Sequence, residues 1–210
     1  MSKLSNFILI LLVLSFTSVI YGSQISKEDR LKAFKNSIAE EEIGNYEKAI
    51  ELIKVVHVEN TSDYLVNIRL GWLYYLAKMN ESSVKHYKEA VRISDNSIEA
   101  LLGLTYPYSA MNNWSEIKSI YKKILVVDSK HYLSNLNLAK IYFNTADYLN
   151  SKIILENVFE DYPSDYAVNL YLGWTYYYLG SKSSAYDHFV TALIVNPNDA
   201  SAKEGLSLSR

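Results

Sequence analysis

Apolar and small residues return along this chain at a fixed interval of 34 positions, with no insertion or deletion. Units begin at Arg30, Tyr64, Ile98, Tyr132 and Tyr166, and a part-unit begins at Ala200. The eighth place in each is small: Ser37, Gly71, Thr105, Ala139 and Gly173. Leu70, Leu104, Leu138 and Leu172 precede it, with Asn36 in the first unit. Tyr74, Tyr108, Tyr142 and Tyr176 follow three residues later, where the first unit has Glu40. Within the fifth unit, Leu170, Leu172, Trp174, Tyr176 and Tyr177 mark one amphipathic helix. Gly180-Ser181 break it, a second helical pattern runs through Ala185, Phe189, Ala192 and Leu193, and Asn196-Pro197-Asn198 ends that one, since proline cannot extend a helix before it. A lone pair of such helices cannot bury its faces, so the pairs must stack and share a core.

The pattern assigns packing roles. A small residue is needed where two helices cross closely, because overpacking there costs about 1–3 kcal/mol. The second helices carry a matching set, Ala49, Ser83, Ile117, Ser151 and Ala185. Four residues on, Ile53, Tyr87, Tyr121, Leu155 and Phe189 are large enough to fill the space between units. Thr61, Asp95, Ser129, Pro163 and Pro197 supply turns at the unit ends. Two features set the third unit apart. Pro107 falls inside its first helix, where it removes a backbone bond and is expected to kink the helix, and Ile117 and Ile124 replace small residues. Ala200 to Leu206 reads as a short capping helix with Lys203, Glu204 and Ser207 outward.

These residues resemble the tetratricopeptide repeat family. The unit from Tyr166 to Asp199 matches its pattern with Leu172, Gly173, Tyr176, Ala185, Phe189, Ala192 and Pro197, and the unit from Tyr64 to Ser97 with Leu70, Gly71, Tyr74, Tyr87 and Ala90. The first unit carries the family's interhelix turn as Gly44-Asn45-Tyr46-Glu47-Lys48-Ala49. The resemblance implies an all-α, right-handed solenoid of five helix-turn-helix repeats over 30–63, 64–97, 98–131, 132–165 and 166–199, closed by a capping helix over 200–210. It also implies a concave groove lined by the first helices. Mapped onto this chain, that groove is apolar and aromatic, and Trp72, Tyr75, Tyr106, Phe143, Trp174 and Tyr177 are its candidate partner-binding residues. Large rigid aromatics with a polar handle suit such a role. Tyr74 and Tyr176 are expected to be structural. The family's basic carboxylate-gripping positions hold mostly apolar residues here, which argues against a co-chaperone role.

The first 22 residues differ from the rest. Lys3 precedes an apolar run from Phe7 to Ile20, and Tyr21-Gly22 offer a cleavage point before Ser23. This is the layout of a secretory signal peptide, the run being shorter than the about 20 residues of a spanning helix. The alternative is an uncleaved membrane anchor. Residues 23–29 form a short linker. The reading is therefore an exported protein, periplasmic or extracellular. The chain has no cysteine, and its net charge of −2 gives no electrostatic footprint for nucleic acid.

Nothing in the chain pairs a nucleophile with a base, and no phosphate loop or HExxH motif occurs, so an enzyme is not expected, nor a cofactor or metal. His57, His86, His131 and His188 read as exposed helix residues, and Glu40-Glu41-Glu42 as a solvated helix end whose Glu41 and Glu42 could accept a basic ligand. The function expected is a protein–protein interaction scaffold that holds a partner segment in the groove. A glycan-binding module is one alternative, disfavoured by the few charged or amide groups expected in the groove. A homo-oligomeric, self-assembling subunit is the other.

Overall fold

The computed structural model describes residues 25–210; the signal-peptide reading of 1–22 lies outside them. Among the described residues the chain is built of helices alone. They are α1 (Lys27–Glu42), α2 (Tyr46–Glu59), α3 (Tyr64–Leu76), α4 (Asn80–Ile93), α5 (Ile98–Ala110), α6 (Trp114–Val127), α7 (Tyr132–Asn144), α8 (Tyr148–Asp161), α9 (Tyr166–Tyr178), α10 (Lys182–Val195) and α11 (Ala200–Leu208). The all-helical solenoid expected from the repeat is what the structure shows, five helix pairs followed by a closing helix. Each helix packs on the next in sequence, so the core is a continuous seam rather than one centre.

Local chemistry sets the helix ends. The residue before each of α3, α5, α7, α9 and α11 accepts a bond from the backbone N–H three residues on: Asp63, Ser97, His131, Asp165 and Asp199. His131 does so through its ring Nδ1. The turns between paired helices each place one residue in the left-handed region: Gly44, Lys78, Asn112, Ala146 and Gly180. Only the two glycines adopt it without a steric cost.

The packing roles read from the sequence are observed. Ala49, Ser83, Ile117, Ser151 and Ala185 are buried, as are Ile53, Tyr87, Tyr121, Leu155 and Phe189. The large residues reach further than their own unit. A Cβ placed on Gly71 would lie 2.8 Å from the Tyr87 ring, and one on Gly103, in the following unit, only 2.2 Å from it. Phe189 is held in the same way between Gly173 and Gly205, at 2.7 and 2.2 Å. Glycine in the sixth place of a unit therefore lets neighbouring first helices approach. Direct backbone approach links α3 to α5, α7 to α9 and α9 to α11, but no comparable approach joins α1 to α3 or α5 to α7. Between α5 and α7, Tyr121 faces Asn137 instead of a glycine. Pro107 does not interrupt α5, which keeps the same 13-residue length as α3, α7 and α9, and Pro107 is buried in it.

The histidine expectation fails. His86 is only 9% exposed and His188 is half-buried. Each ring Nδ1 meets an asparagine Oδ1 at 2.9 Å, Asn67 for His86 and Asn169 for His188. Those asparagines donate in turn to the carbonyls of Thr61 and Asp63, and of Pro163 and Asp165. Each ring also stacks on a tyrosine, His86 on Tyr74 at 5.3 Å and His188 on Tyr176 at 5.4 Å. A buried imidazole needs such partners, and here an asparagine nineteen residues upstream provides them.

Candidate binding groove

The six candidate groove residues sort into two aromatic clusters. Trp72, Tyr75 and Tyr106, from α3 and α5, meet in a triad with ring centroids 5.5–5.6 Å apart. Phe143 stands apart from them, against Tyr148, Tyr171 and Tyr178 at 5.4–5.9 Å. Trp174 and Tyr177 lie 5.7 Å from each other and join the second cluster through Tyr178. The first-cluster rings come together because α3 and α5 pack side by side, across the Tyr87–Gly103 contact.

The clusters are more self-contained than the sequence suggests. The Trp72 indole N–H donates to Glu41 Oε1 at 2.7 Å, and the Trp174 N–H to Ser201 Oγ at 2.8 Å. Both polar handles are spent internally, and Trp174 also packs edge-on against buried Phe189 at 5.1 Å. Glu41 is not open to a basic ligand either, because it is ion-paired with Arg69 as well as bonded to Trp72. Tyr106, by contrast, is 46% exposed. Tyr74 is buried, and Tyr176 donates to Glu156 while stacked on His188. Burial and the Glu156 carboxylate push the Tyr176 phenol up to about 12, so it remains a donor.

Between the two clusters lies a cleft of about 730 Å³, opened where α5 and α7 fail to approach. Tyr75 and Tyr106 bound it on one side and Tyr171 on the other. Ile117, one of the large residues that distinguish the third unit's second helix, and Tyr121 also line it. The Tyr121 hydroxyl bonds to Thr105 and Asn137, although burial raises its pKa. Asn137, Lys140, Asn144 and Thr145 give the α7 wall its polar groups, and Trp114, 52% exposed, forms the rim. Volume and lining match those of ordinary ligand pockets, apolar walls with a few convergent polar groups.

The candidate set omits Trp114, Tyr148, Tyr171 and Asn137. A sequence signal for two of them exists. Trp114 and Tyr148 both occupy the first position of a second helix, where Tyr46 also stands. Two asparagines, Asn137 and Asn144, are the amide groups of the cleft lining. Among the described residues no cluster of three or more His, Asp or Glu side chains is placed to hold a metal, and no helix is long and apolar enough to cross a membrane.

Comparison with known proteins adds the following. No protein-family model matches the chain. The TPR repeat-containing protein MJ1428 of Methanocaldococcus jannaschii is 26% identical over 202 residues, covering 88% of this chain and 34% of that protein. Superkiller protein 3 of Schizosaccharomyces pombe is 29% identical over 126 residues, 56% of this chain and 9% of that one. This chain thus spans about a third or less of these curated relatives' length. Among solved structures, MamA superposes with a TM-score of 0.69 at 15% identity, covering 83% of this chain and 96% of MamA. YrrB, described as a TPR protein with an unusual peptide-binding site, gives 0.69 at 13% identity over 87% and 94% of the two chains. The type IV pilus biogenesis factor PilW gives 0.60 at 14% identity over 88% and 90%. At these identities the likeness shows the fold alone, and that fold is the tetratricopeptide-repeat solenoid.

Proposed function

We propose that this chain is a non-enzymatic, exported scaffold that binds a segment of a partner protein along the groove formed by α3, α5, α7 and α9. The observation that carries this reading is the cleft between α5 and α7, a channel lined by Tyr75 and Tyr106 of the first aromatic cluster and by Tyr171 of the second. Such a channel suits an extended peptide, whose alternate side chains would fill it. YrrB's described peptide-binding site supports the assignment by analogy of fold. Trp72, Tyr75, Tyr106, Phe143, Trp174 and Tyr177 remain the proposed contact residues. Trp72 and Trp174 would offer ring faces only, since their N–H groups are occupied.

Export rests on the Phe7–Ile20 apolar run and is tested separately: the N-terminus of the processed protein should be Ser23. The binding claim is tested by cross-linked capture from the native host's envelope fraction with the unaltered chain and with Tyr75→Ala/Tyr106→Ala. A partner captured by the first and lost from the second supports the groove; equal capture moves the site elsewhere. A glycan remains the second reading, favoured by the Asn137 and Asn144 amides that the sequence alone did not place in one cleft. Retention of the chain on purified cell-wall polysaccharide, with no protein captured, would favour it.

A further inference from the structure

The cleft carries a charge asymmetry that its aromatic walls conceal. Lys140 is the one formally charged side chain in its lining, and no carboxylate lines it at all. Elsewhere basic groups near the first helices are neutralised: Arg30 by Asp63 and Arg69 by Glu41. Lys140 has no ion pair among the described residues. Its ammonium lies 5.3 Å above the Tyr171 ring, which holds it on the cleft wall, and the Asn137 and Asn144 amides belong to the same helix face.

We infer that this cleft selects an acidic side chain of an extended peptide, with the carboxylate drawn to Lys140 and the α7 amides and a neighbouring aromatic or aliphatic side chain against Tyr106, Trp114 and Tyr171. This deepens the scaffold reading and rests on it. The chemistry follows from complementarity. An apolar ligand would leave Lys140 and the Asn144 amide facing it without a polar partner, and a basic ligand would add repulsion. A carboxylate beside an apolar group satisfies both kinds of wall. A peptide fits better than an acidic oligosaccharide because the Tyr75 and Tyr106 rings that line the cleft meet at a tilt of 38° rather than presenting flat parallel faces to sugars.

The test selects peptides from a random dodecapeptide library displayed on phage, with the 210-residue chain immobilised. Enrichment of Asp or Glu next to Phe, Trp, Tyr or Leu is expected. The synthetic consensus peptide, followed by fluorescence anisotropy, should bind about ten- to a hundredfold more weakly to Lys140→Met, as expected for loss of a charged hydrogen bond. Lys140→Arg should restore binding, and added salt should weaken it for the unaltered chain. Acid-free peptides that bind Lys140→Met equally well but fail with Tyr106→Ala would overturn the charge selection and leave the scaffold reading standing. Binding of oligogalacturonate with no peptide enriched would assign the cleft to a glycan and overturn both, as would the absence of any enriched sequence.

Discussion

Gly103→Ala is the sharpest test of how the units mate. Two effects oppose each other. Replacing a glycine inside a helix gains about 1 kcal/mol of helix propensity. Against this, the new Cβ would sit 2.2 Å from Tyr87 Cε1 and 2.5 Å from Cδ1. The ring cannot retreat, because a Cβ on Gly71 would meet its other side at 2.8 Å and the side chain is only 3% exposed. The overpacking cost should then reach the upper part of the about 1–3 kcal/mol range, a net loss of about 1–2 kcal/mol. In a Tyr87→Leu background the obstacle is gone, as it is at Leu155, which has Tyr171 in the place of Gly103. There the same substitution should stabilise by about 1 kcal/mol. The cycle of four proteins therefore predicts a coupling of about 2–3 kcal/mol. Urea unfolding followed by far-UV circular dichroism measures it, with amide exchange in α3 to α5 as a local readout, since stacked repeats need not unfold in one step. If Gly103→Ala changes stability by the same amount in both backgrounds, within about 0.5 kcal/mol, the two-glycine clamp is not what sets this junction.

Ala146→Gly should stabilise by about 0.5–1 kcal/mol, because φ is +58° there and the left-handed penalty outweighs glycine's unfolded-state entropy; a lower urea midpoint would contradict it. Burial lowers the His86 pKa from 6.5 to about 4, so the folded form keeps the ring neutral while the unfolded chain protonates first. Stability is then complete above pH 6.5 and falls as pH drops toward 4, by up to about 3 kcal/mol, and His86→Gln should flatten this slope in urea midpoints taken across that window. Trp174→Ala should destabilise the C-terminal end by about 3–5 kcal/mol through loss of its packing on Phe189, whereas Tyr106→Ala should leave thermal unfolding nearly unchanged while weakening partner capture. Similar stability losses for both would contradict the difference in packing between the two rings.

The solenoid was legible because its determinants are local and repeated. Small residues at the helix crossings, leucines before them and turn residues at fixed spacing each carry meaning without a neighbour's coordinates. The histidines were misread because burial of His86 and His188 depends on Asn67 and Asn169, nineteen positions away, and no single residue announces a pair. The groove was half legible. Its first-helix aromatics follow from the repeat, but the cleft follows from an exception, Tyr121 opposite Asn137 where other junctions have glycine or other partners. Trp114 was overlooked because it belongs to a second helix, which the groove reading did not consult. Pro107, the expected source of irregularity, marked the right unit for a different reason: α5 keeps its length, and the opening comes from its separation from α7.

The two-glycine clamp also bears on how such a chain can be rearranged. Tyr87 packs against the glycine at position 103, and Phe189 against that at position 205, so these two units each carry a requirement that the successor fulfils. The helix pair 64–97 could be exchanged with 166–199 and still find a glycine waiting. Placed ahead of 166–199 the same pair would drive a tyrosine into Tyr171, whereas ahead of 132–165 it would meet Asn137, the partner that Tyr121 already has. Part of the order of units is thereby written into these two junctions, and recombination that separates Tyr87 or Phe189 from a glycine sixteen residues beyond it must find the ring another partner, as Tyr121 does in Asn137.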